Sequence, residues 1–312
     1  MTKKNVILTA VCGAAFVALL CIATFYDLKI SIALGSAKSV FGQFFEKMGE
    51  LPTYIGVAAS ALILYRAVGK DHKFRKWLKP ILLVVTYAAF FLLCWFIADT
   101  FFIDIKWIYL YEAIFALILC GFALLLTAKV DQKIWEKLVY FAAVTVFAVL
   151  IMQCLGLALN AIWTRQRFRN IHAGNYPGGS TEGFTPWYQP TVGKHDAAAL
   201  FTDAEGKEDA EAYNSFPNAQ TLGATALFTL LTLPEVFQGL KKYKPLFFVC
   251  PCVLVVMTAI GNIVARGAYL SDVLFALVIG CGGILLARFL SKLILRKNAA
   301  ITSALANVKS SD

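Results

Sequence analysis

Three short polar segments interrupt an otherwise apolar chain, and the first contains a cluster of arginines. Arg165, Arg167 and Arg169 alternate directly after an apolar stretch that ends near Asn160. The rigid guanidinium fork matches the oxygens of a phosphate group. The alternative is a juxtamembrane cluster that only touches lipid headgroups. Because an arginine cluster on the outer membrane face is unusual, we predict an anion contact here.

The second segment reads Asn-Ser-Phe-Pro-Asn-Ala-Gln-Thr over residues 214–221, directly before another apolar stretch. Side chains such as Ser215 and Thr221 can cap a helix, and a helix N-terminus offers free N–H groups to an anion. Plain capping without a ligand is the alternative explanation. Gln220 adds a neutral hydrogen-bonding group to the same segment.

The third segment covers residues 260–274 and includes Asn262, Arg266 and Asp272. Asp272 lies about one turn into an apolar helix, and a carboxylate inside a membrane is a candidate functional group by default. It also suits the positive end of its own helix, which is the structural alternative. Glu112 and Gln153 are lesser cases that we interpret as interhelical hydrogen-bonding groups.

The composition of the chain indicates an integral membrane protein. The 312 residues are 59% hydrophobic and only 15% charged, whereas about a quarter of an average soluble domain is charged. The net charge of +10 resides mainly in short loops, so it predicts membrane orientation rather than nucleic-acid binding. The eight cysteines fall in apolar stretches, and Cys250-x-Cys252 lacks the spacing of a zinc site. No metal or cofactor is implied.

Apolar stretches predict an all-α, polytopic transmembrane bundle of about eight spans. They lie near 5–26, 52–68, 77–99, 106–128, 136–161, 220–240, 244–265 and 268–291. The segment 31–48 has the pattern of an amphipathic interfacial helix.

Lysine and arginine are concentrated in alternate connections between these spans. The cation-rich connections include residues 3–4, 66–79, 129–137, 241–244 and 296–297. The positive-inside rule therefore predicts a plasma-membrane protein with both termini in the cytoplasm. It places the long polar loop 162–219, and the three polar segments, on the extracellular or periplasmic side. A loop of that length suggests a lid, a binding element or a disordered insert.

The order and spacing of the three segments resemble those of the type 2 phosphatidic acid phosphatase superfamily, membrane lipid phosphatases related to vanadium haloperoxidases. The family pattern is Lys-x6-Arg-Pro, then Pro-Ser-Gly-His, then Ser-Arg-x5-His-x3-Asp. The corresponding positions here hold Asn160, Arg167, Phe168, Pro217, Asn218, Ala219, Gln220, Gly261, Asn262, Ala268 and Asp272. Residues 49–52 and 184–188 also look like bacterial members, and the resemblance covers roughly 40–300. It implies a six-helix core at 77–297, an N-terminal addition at 1–76 and a tail at 298–312.

The departures from that pattern argue against catalysis. The resemblance implies that the nucleophilic histidine is replaced by Ala268 and the acidic histidine by Gln220. Alanine has no attacking atom, and an amide does not deliver a proton near neutral pH. Losing general acid catalysis alone costs a factor of about 10² to 10⁴ in rate. Two of the three phosphate-holding cations are replaced by Asn160 and Asn262, although Arg266 lies close in sequence.

The leading hypothesis is an inactive relative of the lipid phosphatases that binds a membrane lipid phosphate, an isoprenoid phosphate or another lipid headgroup at the outer leaflet. The expected binding residues are Asn160, Arg165, Arg167, Gln220, Asn262 and Arg266. Three alternatives stay open. They are an active phosphatase that uses His172 or His195, a lipid transporter or flippase, and a scaffold that binds a protein partner through loop 162–219.

Overall fold

The computed structural model describes residues 3–36, 38–68, 75–101, 108–172, 184–190 and 212–295. Regular structure in these ranges is helical, as the sequence predicts. The α-helices are α1 (Lys3–Leu34), α2 (Val40–Met48), α3 (Leu51–Ala67), α4 (Arg75–Phe101), α5 (Ile108–Leu126), α6 (Gln132–Trp163), α7 (Phe168–His172), α8 (Ala219–Ala224), α9 (Leu233–Val236), α10 (Lys244–Val264) and α11 (Leu270–Leu295). The predicted tail 298–312, His195 and most of loop 175–212 lie outside the described residues.

Seven helical segments of the described chain are long and apolar enough to cross a membrane. They are Gly13–Leu34, Val40–Ala67, Lys76–Ala98, Tyr109–Leu126, Gln132–Ile171, Gln238–Val264 and Leu270–Leu295. Their lengths and composition confirm a multi-pass, all-α membrane protein. Eight spans were predicted, and the stretch 220–240 is the predicted span that is not among these seven segments.

The predicted span 220–240 is helical but is not one continuous α-helix. Residues Thr225–Thr232 form a 3₁₀ helix between α8 and α9, and a second 3₁₀ helix covers Gln238–Tyr243. Thr229 and Thr232 donate hydrogen bonds from their hydroxyls to carbonyls three residues earlier, at 2.7 and 2.8 Å. Pro234 lies in the first turn of α9, where its missing N–H is tolerated. The apolar content of this stretch was correctly predicted, and its regular winding was not.

The N-terminal helix extends farther than the sequence predicts. α1 continues from the first apolar stretch to Leu34, so Asp27 lies inside the helix rather than after it. The amphipathic helix is correspondingly shorter. α2 begins after Ser39, whose side chain accepts a hydrogen bond from the N–H of Gly42 at 3.1 Å. This N-cap explains why the helix starts there.

The described residues group into two compact units. Unit 1 consists of residues 1–49, 153–222 and 255–279, and unit 2 consists of residues 50–152, 223–254 and 280–312. In unit 1, α2 approaches the end of α10 closely because both helices carry glycine there. A Cβ at Gly42 would lie 2.9 Å from the backbone nitrogen of Ala265, and one at Gly261 would lie 2.5 Å from Cβ of Phe45. Larger residues at these positions do not fit.

Unit 2 contains a conventional apolar helix interface. Ile63 of α3 packs with Trp135 and Phe141 of α6, and Leu230 and Leu233 pack against this cluster. The ring of Tyr54 also stacks on the ring of Phe96 in α4, with centroids 4.6 Å apart.

Candidate functional site

The three polar segments predicted from the sequence meet in unit 1. Ser215 donates its backbone N–H to the carbonyl of Arg165 at 3.1 Å, and Asn218 donates to the carbonyl of Asp272 at 3.3 Å. The Asn218 side chain also donates to Oδ1 of Asn262 at 3.1 Å. Segments more than forty residues apart in the chain are therefore joined by direct hydrogen bonds.

Both helices that lead into this region end at a non-glycine residue with positive φ. Thr164 has φ 37° after α6, and its N–H bonds to the carbonyl of Asn160 at 2.8 Å. Arg266 has φ 63° after α10, followed by Gly267, whose N–H bonds to the carbonyl of Asn262 at 2.9 Å. These are left-handed helix caps, which normally use glycine. Strained backbone at two neighbouring helix ends is typical of functional sites.

Arg165 lies at the centre of a buried ion cluster. Its guanidinium contacts Asp272 at 2.5 Å and Asp27 at 3.0 Å, and the three side chains are 1%, 0% and 3% exposed. Its Nε donates to the carbonyl of Thr185 at 2.8 Å, and another N–H donates to Ser271 at 2.7 Å. The predicted contact of Arg165 with an external phosphate is therefore corrected: this arginine is occupied within the protein.

The two carboxylates of this cluster are surrounded by donors. Asp272 accepts hydrogen bonds from the Ser215 hydroxyl and from the N–H of Tyr269 at 3.0 Å. Asp27 accepts from the N–H and the hydroxyl of Ser271, at 3.1 and 2.5 Å. Both carboxylates therefore also lie at the N-terminus of α11, where unpaired N–H groups supply partial positive charge. Arg165 together with the positive end of α11 compensates the two negative charges.

The aromatic environment further confines Arg165. The guanidinium carbon lies 4.1 Å from the ring centroid of Tyr269 and 5.3 Å from that of Phe184. Phe184 belongs to the segment 184–190 of the long polar loop. In the same segment, Trp187 donates to Oγ1 of Thr24 at 3.1 Å, and its carbonyl accepts from Nε1 of Trp163 at 2.5 Å. This part of the loop is therefore packed against unit 1.

A neutral cluster of amides joins two of the predicted binding residues. Asn218 donates from one nitrogen to Gln220 at 2.9 Å and to Asn262 at 3.1 Å, while its oxygen accepts the N–H of Thr221. Asn262 in turn donates to the carbonyl of Thr258 at 2.9 Å. Asn218 was not among the predicted binding residues. Asn218 nevertheless joins Gln220 to Asn262, because it donates hydrogen bonds to both side chains.

A second group of charges lies beside these amides. Arg169 forms an ion pair with Glu46 of α2 at 2.9 Å, with the arginine side chain 35% exposed. A Cβ at Gly267 would lie 2.6 Å from Oε1 of Glu46 and 3.5 Å from Oδ1 of Asn262, so Glu46 reaches the amide cluster. The N–H of Arg169 also bonds to the carbonyl of Arg266 at 2.9 Å.

Arg266 and Asn160 each have a buried polar atom without a partner in the described chain. Nε of Arg266 donates no hydrogen bond, and Oδ1 of Asn160 accepts none. Another nitrogen of Arg266 donates to the carbonyl of Gly35 at 3.1 Å. Such unsatisfied buried atoms are rare in folded proteins. The side chain of Arg167 is 4% exposed, and its backbone N–H bonds to Ala212 at 2.9 Å.

Apolar side chains enclose Ala268. Ala268 has no exposed surface and packs with Ala259, Ile263 and Val273. The backbone of His172 ends α7. Within the described residues, no group of three or more histidine, cysteine or acidic side chains is arranged to hold a metal ion.

Asp27 is the main residue of the Arg165 ion cluster that was not predicted from the sequence. It lies 138 positions from Arg165, and no motif joins the two. A single carboxylate at the end of an apolar stretch is nevertheless a recognisable signal, because a charge in a membrane helix requires a partner.

Comparisons with known proteins give no relative for this chain. No family model, no curated protein and no solved structure matches it.

Proposed function

We propose that this membrane protein binds a phosphate-bearing lipid headgroup in unit 1 and does not hydrolyse it. The observation that carries the proposal is the meeting of the three motif segments at Arg165, Asn218 and Asp272. This is the arrangement that the resemblance to type 2 phosphatidic acid phosphatases implies. The proposal takes the architecture from that resemblance and the chemistry from the residues that are present.

The chemistry supports binding without turnover. Ala268 supplies no nucleophile, and Gln220 accepts a hydrogen bond from Asn218 instead of supplying an acid. Covalent phosphoryl transfer requires an attacking atom in line with the leaving oxygen, and losing that atom removes the route. Asp272, which would orient a histidine, is held by Arg165 and Ser215.

The cations that remain for a phosphate are those outside the ion cluster. Arg169 and Arg266 are partly exposed and joined through the backbone, and Arg266 directly precedes Gly267, whose N–H bonds to the carbonyl of Asn262. Because Glu46 forms an ion pair with Arg169, an incoming phosphate must compete with this carboxylate for the guanidinium. Charge-assisted hydrogen bonds from arginine and neutral ones from the amides together suit a phosphate monoester or diester. Arg167 and Asn160 complete the proposed site.

The proposed location follows from charge distribution along the chain. The positive-inside rule puts the site at the outer face of a plasma membrane, with both termini in the cytoplasm. The proposed ligand is therefore a phospholipid or an isoprenoid phosphate of the outer leaflet. A protein partner bound through loop 162–219 is a further proposal that the described residues 184–190 leave open.

The test is a titration of purified protein in nanodiscs with phosphatidic acid, against diacylglycerol, which carries no phosphate, followed by native mass spectrometry. We expect saturable binding of phosphatidic acid and no release of phosphate. Arg169→Ala combined with Arg266→Gly weakens binding at least fivefold, whereas Glu46→Gln tightens it because Arg169 loses its internal carboxylate. Lys38→Ala is the matched control, since Lys38 is an exposed cation of the same unit outside the site.

Three results would overturn the proposal. Equal binding of the two lipids by all variants would reject a phosphate site. Phosphate release that is abolished by His172→Ala would instead establish an active phosphatase with an unusual nucleophile. Movement of headgroups between leaflets of proteoliposomes, measured on the same preparation, would establish a transporter.

A further inference from the structure

One face of the short helix α2 lies directly on the amide cluster of the proposed headgroup site. The residues of α2 and its C-cap that make this contact are three or four positions apart, so they share one side of the helix. They are Gly42, Phe45, Glu46 and Gly49. The helix therefore covers this part of unit 1 along most of its length.

Glycines on both sides make the contact very close. A Cβ at Gly49 would lie 2.7 Å from Cβ of Gln220, and one at Gly267 would lie 2.6 Å from Oε1 of Glu46. A gap that does not accept one methyl group does not accept a phosphate with its oxygens. A phosphate therefore enters between α2 and the amides only if α2 moves.

Glu46 holds the place of an anion in this closed arrangement. Its carboxylate pairs with Arg169 at 2.9 Å, and its side chain is only 14% exposed. A carboxylate and a phosphate present the same kind of charged oxygen to a guanidinium. A side chain of α2 thus already occupies the arginine that the ligand requires.

The opposite face of α2 is apolar and exposed. Val40 and Phe44 are 81% and 52% exposed. An amphipathic helix of this kind is stable at the boundary between lipid headgroups and acyl chains, which is the location that the pattern of segment 31–48 predicts. A shift of α2 within that boundary keeps its apolar face out of water.

We propose that α2 is a self-inhibiting cover of the headgroup site, and that the phosphate of the ligand displaces Glu46 from Arg169 and α2 from the amides. This inference rests on the proposed function, because it concerns the regulation of the same site. The nine residues of α2 form a helix that depends on its packing, since isolated helices shorter than about 12 residues are marginal in water. Loss of the contacts with unit 1 therefore loosens the hydrogen bonds of α2.

The experiment measures hydrogen–deuterium exchange of α2 by mass spectrometry in the full-length protein. The protein is held in nanodiscs of dioleoyl phosphatidylcholine that contain either dioleoyl phosphatidic acid or dioleoylglycerol, which lacks the phosphate. With phosphatidic acid we expect the amides of residues 43–48 to exchange about twofold to fivefold faster, as the loss of one partly exposed ion pair predicts. Dioleoylglycerol leaves the rate unchanged, and an equal acceleration by both lipids would overturn the proposal.

Two variants loosen the cover without a ligand. Glu46→Gln removes the ion pair, and its control is Glu136→Gln, the same change at an exposed position of α6. Gly49→Ala inserts a methyl group against Gln220 and removes no polar group, and φ and ψ of −59° and −35° allow alanine there without backbone strain. Its control is Gly239→Ala, because a Cβ at Gly239 has open space around it. Without phosphatidic acid, α2 exchanges faster in both test variants and at the wild-type rate in both controls.

Native mass spectrometry of the same samples separates this proposal from the proposed function. Binding of phosphatidic acid while the exchange of α2 stays unchanged or slows would overturn the cover and leave the proposed function intact. Wild-type exchange of α2 in both ligand-free test variants would also overturn the cover, because α2 would then not be held by these contacts. Absence of phosphatidic acid from the wild-type protein would instead reject the proposed function.

Discussion

Arg165 in unit 1 and Arg288 in unit 2 both form ion pairs, but their surroundings differ greatly. Arg165 is 1% exposed and is shared by two carboxylates, with Ser271, Thr185 and the ring of Tyr269 completing its contacts. Arg288 is 23% exposed and pairs with one carboxylate at the edge of a cleft. Arginine is therefore a fully buried structural residue in unit 1 and a partly exposed residue in unit 2.

Desolvation explains the difference. A fully buried ion gains little unless every donor and acceptor around it is used, and the loss of one partner leaves an uncompensated charge. The Arg165 cluster meets that condition through hydrogen bonds from two serines and from the N-terminus of α11. The Glu235–Arg288 pair is partly solvated, so solvent replaces either partner at small cost.

The largest effect is expected at Arg165. Arg165→Ala leaves Asp27 and Asp272 without their shared cation and lowers the free energy of unfolding by about 3–5 kcal/mol. Arg288→Ala lowers it by less than about 1 kcal/mol. Denaturant unfolding of both variants in one detergent measures the ratio. Similar losses for the two variants would contradict the contrast between the two arginines.

A smaller loss is expected from Asp27→Asn, which keeps the shape of the side chain. The amide replaces a charged acceptor next to Arg165 and Ser271, and charge-assisted hydrogen bonds contribute about 1.5–3 kcal/mol. We therefore expect destabilisation in that range, measured by the same unfolding experiment. Stability equal to that of the wild type would show that Asp27 is not needed to neutralise Arg165.

Arg266 lies between the two extremes, because its side chain is half-buried and its backbone is strained. Arg266→Gly relieves the positive φ but removes the hydrogen bond to Gly35. Since these effects oppose each other, the free energy of unfolding should stay unchanged or rise by up to about 1 kcal/mol. A measured loss above about 2 kcal/mol would instead make Arg266 a structural residue.

The smallest effect is expected at Glu235. Glu235→Gln should change the free energy of unfolding by less than about 0.5 kcal/mol at low salt. The difference should vanish at about 1 M salt, where screening acts over about 3 Å. Thermal unfolding of the wild type and the variant at two salt concentrations checks this. A salt-independent loss would place the pair in a drier environment than its exposure indicates.

Much of the fold was predictable because membrane helices are encoded by local composition. The apolar stretches gave the all-α, multi-pass class, whereas the start of the amphipathic helix, predicted at residue 31, lies at Val40. The end of α1 was misplaced because Asp27 has the chemistry of a membrane–water boundary. Only its distant partner Arg165 permits the charge to lie inside the helix.

The grouping of the candidate residues came from the resemblance, which brought Asn160, Gln220 and Asn262 into one set with Asp272. Their role in binding stays a prediction. The resemblance did not indicate that Arg165 turns inward while Arg169 pairs with Glu46, because α1 and α2 supply those carboxylates from far away in the chain. Asn218 was overlooked for a related reason: its importance comes from the two amides that it joins, not from its own position in a motif.

The 3₁₀ helix Thr225–Thr232 has a consequence for its own length. A 3₁₀ helix rises about 2.0 Å per residue, against about 1.5 Å for an α-helix. These eight residues therefore extend about 16 Å instead of about 12 Å. An apolar segment wound in this way covers a greater length with the same number of residues.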